Sequence, residues 1–136
     1  MLRRFALALL LASGLAGCIS NVGAFEITLA DAPAAVTDGS GEALCQLTID
    51  SGDPIALTSI QVWLRPPGGT VSLMPYTHED NDGDGMLSTG DVLIVNEPPV
   101  NLVGTADIGT EYVVEILEDV GPMRVSSLWE GVWTAT

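Results

Sequence analysis

Residues 71–95 read V-S-L-M-P-Y-T-H-E-D-N-D-G-D-G-M-L-S-T-G-D-V-L-I-V. The flanks of this stretch decide the fold. Val71–Tyr76 alternates like a strand and carries Pro75, and Val92–Val95 is a β-branched apolar run. Neither flank holds a 3.6-residue apolar period of useful length, so helices on either side are not expected. The expectation is two strands with a polar, glycine-rich connection between them, or one with a short helical turn at its start.

That connection has a spacing of its own. Asp80, Asp82 and Asp84 stand at positions 1, 3 and 5 of a twelve-residue span, Gly85 at 6, Met86 at 7, Ser88 at 9 and Asp91 at 12. This is the pattern of an EF-hand-type Ca²⁺ loop. A hard cation takes six to eight oxygen ligands at roughly 2.3–2.6 Å. Alternate carboxylates can curl around one centre, and position 6 needs a sharp turn that Gly makes without steric cost. The expected ligands are the side chains of Asp80, Asp82, Asp84 and Asp91, the carbonyl of Met86, and Ser88 directly or through water. Leu87, at position 8, is expected to anchor the loop to a core. Asp91 is one methylene shorter than the usual Glu. The alternative is a polar Asp/Gly turn that binds nothing. Against it, Glu79–Asp91 holds five acidic side chains and no basic one, and the chain contains no Lys. Like charges packed together are costly without a cation between them.

The segment D-N-D-G-D-G-M-L-S-T-G-D resembles the calcium loops of dockerins, which also favour Asp at position 12. It is equally similar to the D-x-D-G-D-G-x-L-S-x-G-D stretch of archaeal type IV pilin-like β domains. The resemblance spans twelve of 136 residues and implies metal binding. Dockerins carry two such loops with helices, and this chain carries one. Pilins keep a long hydrophobic N-terminal helix, which this chain lacks.

Residues 1–17 read as a signal peptide. Arg3 and Arg4 form a positive n-region, and Phe5–Leu15 is an apolar run far short of the ~20 residues a spanning helix needs. Leu15-Ala16-Gly17-Cys18 resembles the bacterial lipobox, which implies cleavage before Cys18 and a lipid on its sulfur. Ile19 after the Cys, in place of Asp, implies sorting to the outer membrane. Ordinary secretory cleavage is the alternative. Residues 18–24 would be a short tether.

The mature chain would keep 119 of 136 residues, a suitable length for one domain at 25–136. Losing Arg3 and Arg4 takes the formal charge from −14 to −16, with Arg65 and Arg124 as the remaining basic side chains. Such a surface repels nucleic acid and anionic headgroups. Membrane attachment would therefore come from acyl chains. With Cys18 used for lipid, Cys45 has no partner, and its alternation with Leu47 and Ile49 makes it a buried small hydrophobe.

Phe25–Leu29 and Ala43–Ile49 alternate as strands, separated by an Ala/Pro/Gly-rich loop from Asp31 to Glu42. Ser51-Gly52-Asp53-Pro54 is expected to turn, and Ile55–Arg65 to run as one longer strand. Pro66-Pro67-Gly68-Gly69 reads as a hairpin turn into Thr70–Tyr76. After Val92–Val95, Pro98-Pro99 breaks the chain. Strands follow at Tyr112–Ile116, Met123–Ser127 and Trp129–Trp133. Seven or so short strands spaced by Gly/Pro turns predict an all-β fold, a small antiparallel Ig-like β-sandwich with the calcium loop inserted between strands. A mostly β domain with one short helix is the alternative.

Catalytic patterns are thin. His78 is the lone histidine and reads as an exposed surface residue, which leaves no base for a Ser-His-Asp or Cys-His arrangement. Zinc would require His or Cys in numbers this chain lacks. There is no phosphate loop. Trp129 and Trp133 are the better candidates for a sugar platform, with core packing as the alternative. The expectation is a non-enzymatic, lipid-anchored calcium-binding module of the cell envelope, meeting an envelope protein or glycan. The alternative is a Ca²⁺-stabilised hydrolase with acidic catalytic residues, which would need a pocket lined by two carboxylates outside residues 79–91.

Overall fold

The computed structural model describes residues 25–136. The expected signal peptide 1–17, the lipidated Cys18 and the tether 18–24 lie outside the described residues.

Chain order gives β1 (Phe25–Asp31), β2 (Ala43–Gly52), β3 (Ile55–Ala56), β4 (Ile60–Arg65) and β5 (Ser72–Met74). Then come β6 (Tyr76–Glu79), β7 (Met86–Leu87), β8 (Val92–Asn96), β9 (Glu111–Gly121) and β10 (Arg124–Thr134). Two short 3₁₀ turns, Leu57–Ser59 and Thr105–Asp107, are the helical segments among the described residues. One sheet has the order β1-β2-β8-β6, a second has the order β10-β9-β4-β5, and β3 pairs with β7 alone. Every pairing is antiparallel. The expected all-β, antiparallel class is the one observed.

Both sheets feed one core. Leu47 and Ile49 of β2 and Leu93 and Val95 of β8 meet Val62 and Leu64 of β4 and Val114 and Ile116 of β9 in one buried cluster. The period of two does this, because successive side chains leave opposite faces of a strand. Even V-L-I-V of β8, apolar throughout, buries only Leu93 and Val95 completely. Each such side chain stabilises the fold by about 1.5–3 kcal/mol. Cys45 joins the core at 0% exposure, and burial, helped by the charge of Asp31, pushes its thiol up to about 12. Trp133 is in the core as well. It lies against Tyr112 with ring centroids 5.6 Å apart, and its indole N–H donates to Asp31 Oδ1 at 2.9 Å. Thr136 Oγ1 donates to the other oxygen of Asp31. Trp133 therefore offers no sugar platform, and Trp129 lies half-buried over Gly131.

Several strand boundaries differ from expectation, each for a local reason. β2 continues past Ile49 to Gly52, so the turn begins only at Asp53. The expected strand Ile55–Arg65 is cut by the 3₁₀ turn at Leu57–Ser59. Its two ends have different partners: β3 pairs with β7, and β4 pairs with β9 and β5. The return strand Thr70–Tyr76 is also divided. β5 pairs with β4 in the second sheet, while β6 pairs with β8 in the first. Pro75 sits at the crossing, where a residue without an N–H and with a fixed φ ends one ladder. Conversely, the expected strands Met123–Ser127 and Trp129–Trp133 merge into one, β10. It starts at Arg124 because Met123 lies in the turn at φ +57°, and its register shifts between Ser127 and Trp129. A bulge of one residue there imitates a strand break in the sequence.

Candidate metal centre

The loop 80–91 joins β6 to β8, neighbours in the first sheet with Glu79 opposite Val92. That pairing brings the two ends of the loop together. Further contacts hold it against the body. Met86 and Leu87 pair with Ala56 and Ile55. Leu87 is 0% exposed and plugs into the core, as its position in the loop predicts. The N–H of Gly90 donates to Ile49 O at 2.9 Å, and Ile49 N–H donates to Asp91 O at 2.9 Å.

Within the loop the carboxylates organise the backbone. Asp80 Oδ1 accepts from Asp82 N at 3.2 Å and Gly83 N at 2.8 Å, and its Oδ2 accepts from Gly85 N at 2.8 Å. Asp82 Oδ1 accepts from Asp84 N at 3.3 Å, and Asp84 Oδ1 accepts from Met86 N at 2.9 Å. These are successive Asx turns, the side chain standing in for a backbone turn. Gly85 has φ +72°, the left-handed conformation that a Cβ strains. Asp82 and Asp84 each keep one oxygen without a hydrogen-bond partner among the described residues.

Asp80, Asp82 and Asp84 each present a ligand atom, all within 4.8 Å of one another. This acidic cluster could hold a metal ion, and carboxylate oxygens are the donors a hard cation prefers. The charges interact strongly. The Gly85 N–H is the main cause that holds the Asp80 carboxyl down at about 2, with the Asp82 carboxyl and two more N–H groups adding against lost hydration. Asp82 is pushed up, first by the Asp80 carboxyl, then by lost hydration and by Asp84. One carboxyl held down and its neighbour pushed up is the signature of like charges sharing a site.

Asp91 stands apart from that trio. Its ligand atom groups within 4.8 Å of Asp80 and His78 instead. It is 0% exposed. Oδ1 accepts from Asn81 N at 2.8 Å, and Oδ2 accepts from Ser88 N at 3.0 Å and lies 2.9 Å from His78 Nε2. Burial alone would push its carboxyl up, yet the Asn81 N–H, His78 and the Ser88 N–H outweigh that and hold it below the usual range. Ser88 is buried with its hydroxyl 3.4 Å from Asp91 Oδ2, and Met86 is half-buried in β7. Asp91 thus clasps the two ends of the loop by accepting from Asn81 and Ser88.

His78 is the residue whose place differs from the sequence expectation. Its side chain is 9% exposed, not on the surface. The signal was present in the strand register. His78 pairs with Leu93, and cross-strand partners share a face, so a buried Leu93 means an inward His78. His78 and Asp80 are also two residues apart, which in extended chain puts both on one side. No protein-family model matches the chain, and no curated protein matches it in sequence.

Proposed function

We propose that the chain is a calcium-binding envelope protein, anchored by lipid at Cys18 in the outer membrane, that acts as a binding or structural module and not as an enzyme. The observation that carries the metal reading is the convergence of Asp80, Asp82 and Asp84 within 4.8 Å on a loop turned by Gly85. Calcium is the ion proposed because the spacing is that of an EF-hand-type loop and all the side-chain donors are oxygens. Asp80, Asp82 and Asp84 would supply carboxylates, Met86 its carbonyl, and Asp91 and Ser88 the closing position. The ion would offset charges that otherwise repel. Because the loop connects two paired strands, the bound ion would pin the connection, a structural role. The two sheets and shared core support an Ig-like β-sandwich around it.

The hydrolase reading is less well supported. Two cavities of about 360 and 340 Å³ carry one carboxylate each, Asp107 and Glu111 respectively. Anchoring rests on Leu15-Ala16-Gly17-Cys18, and the acidic charge supports a partner other than nucleic acid. The deciding experiment is calorimetric titration of residues 19–136 with Ca²⁺ and with Mg²⁺. Saturable heat with Ca²⁺ and little with Mg²⁺ is expected, since Mg²⁺ demands a smaller octahedral shell. Absence of Ca²⁺ heat at millimolar concentration refutes the metal reading. For the anchor, mass spectrometry of the native protein should find an acylated Cys18, and an unmodified one refutes it.

A further inference from the structure

A second feature lies away from the acidic loop. The Pro66 turn of the β4–β5 hairpin and the 3₁₀ turn Thr105–Asp107 enclose an open cavity of about 360 Å³. Leu64, Leu102 and Tyr112 form its apolar lining, and Thr70, Ser72 and Asp107 are its polar lining. Leu64 and Tyr112 are almost wholly buried, 1% and 5% exposed, so the lining is core surface reached from outside. The volume is within the roughly 300–1,000 Å³ of small-molecule sites.

The charges are one-sided. Asp107 Oδ2 accepts from Gly104 N at 2.9 Å, which fixes the carboxylate, while Oδ1 has no partner among the described residues. No basic side chain lines the cavity. Arg65 instead pairs with Glu130 at 3.8 Å. Tyr112 and Asp107 line the same cavity, and the Tyr112 phenol is pushed up by burial and then by the charge of Asp107. A lining with one acidic residue, two hydroxyl residues and the apolar Leu64 and Leu102 suits a group with several N–H donors on an apolar stem. An alkylammonium has that form: three donors, one positive charge and a methylene chain. An anion would meet Asp107 and a chain of formal charge −14.

We propose that this cavity binds a short-chain primary alkylammonium, its stem against Leu64, Leu102 and Tyr112 and its charge on Asp107. The source is a free amine or the side chain of a partner's lysine, since this chain has no lysine itself. The cavity shares no lining residue with loop 80–91, so amine binding and calcium binding succeed or fail separately.

The test is a set of titrations of ¹⁵N-labelled protein at pH 7, read from amide shifts. The probes are n-butylamine, Nα-acetyl-lysinamide, 1-butanol and butyrate. Saturable shifts at Leu102, Asp107 and Tyr112 are expected with an amine, weaker ones with butanol and none with butyrate. Which amine binds more tightly distinguishes the free amine from the lysine side chain. Asp107→Asn keeps an acceptor for Gly104 N and should weaken amine binding about fivefold, the upper end for a part-exposed ion pair, while leaving butanol unchanged. Leu102→Trp should fill the cavity and abolish both. Equal response to amine, butanol and butyrate overturns the proposal. So does the absence of saturable shifts, or an Asp107→Asn variant that binds amine as well as wild type.

Discussion

Two irregular connections leave β8 and its neighbours, and carboxylates hold both. In residues 97–110 the buried Glu97, 2% exposed, accepts from Leu102 N at 2.8 Å and Val103 N at 2.7 Å. Asp107 takes Gly104 N, and Asp38 reaches across to Thr105 N at 2.8 Å. Each of these acids serves its own donors. In loop 80–91 the acids also accept backbone N–H groups, but three of them bring ligand atoms within 4.8 Å. An Asp in a turn therefore says little about metal. What separates a clasp from a metal site is whether the carboxylates converge on one point. Among the described residues the acids of the first connection form no such cluster, although Glu97 Oε1 is buried without a partner, whereas the second carries repulsion that an ion would relieve.

The strongest way to break this contrast is at Glu97. Glu97→Ala leaves one buried and one part-buried N–H group unsatisfied, at about 1–3 kcal/mol for a buried one. Thermal and urea melts should show a loss of about 3 kcal/mol, equal in EDTA and in Ca²⁺. A loss that Ca²⁺ repairs would mean the two connections are not independent. Next in size is the ion itself. Binding to the folded state alone adds about 2.7 kcal/mol when free Ca²⁺ is a hundred times Kd. Wild type should melt several degrees lower in EDTA, and Asp82→Ala, Asp84→Ala or Gly85→Val should remove that difference. Equal melting in EDTA and in roughly 5–10 mM Ca²⁺, ten times a weak-site Kd, would make both connections mere clasps.

Acid sharpens the contrast further. Asp80, held at about 2, contributes stability present above its unfolded value of 3.8 and lost as pH falls through about 2. Asp82 is shifted the other way, so its contribution is present below its unfolded value and lost as pH rises through the raised one. A proton on Asp82 competes with the ion. The Ca²⁺-dependent gain in Tm should therefore shrink between pH 7 and pH 4, as differential scanning calorimetry would show. A gain that grows on acidification contradicts this. The smallest effect is expected at Asp38→Ala, an exposed clasp, at about 0.5–1 kcal/mol and with no Ca²⁺ dependence in the same melts.

How much of this could be read from the chain follows from the range of each interaction. The ligand spacing of Asp80, Asp82 and Asp84 is local, and so is the Gly85 turn, and both are visible within twelve residues. The alternation that buries Leu47, Ile49 and Leu64 is equally local. The sheet orders are not, because β2 beside β8 and β4 beside β9 join residues far apart in sequence. The division at Pro75 was hidden because β5 and β6 are three and four residues long, too short for alternation to declare which sheet each joins. His78 was misplaced for the same reason: its burial depends on Leu93 across the ladder and not on its own neighbours.

The hydrogen bond from Trp133 to Asp31 spans 102 residues. Closing a loop of that length costs entropy that only later contacts repay. The seam between β1 and β10 should then form late, after the β9–β10 hairpin and the β6–β8 ladder, and on the millisecond-to-second scale usual for all-β chains. Until it closes, the Asp31 end of the edge strand β1 lacks the partners that Trp133 and Thr136 provide, so the nascent domain is most vulnerable to intermolecular strand pairing there.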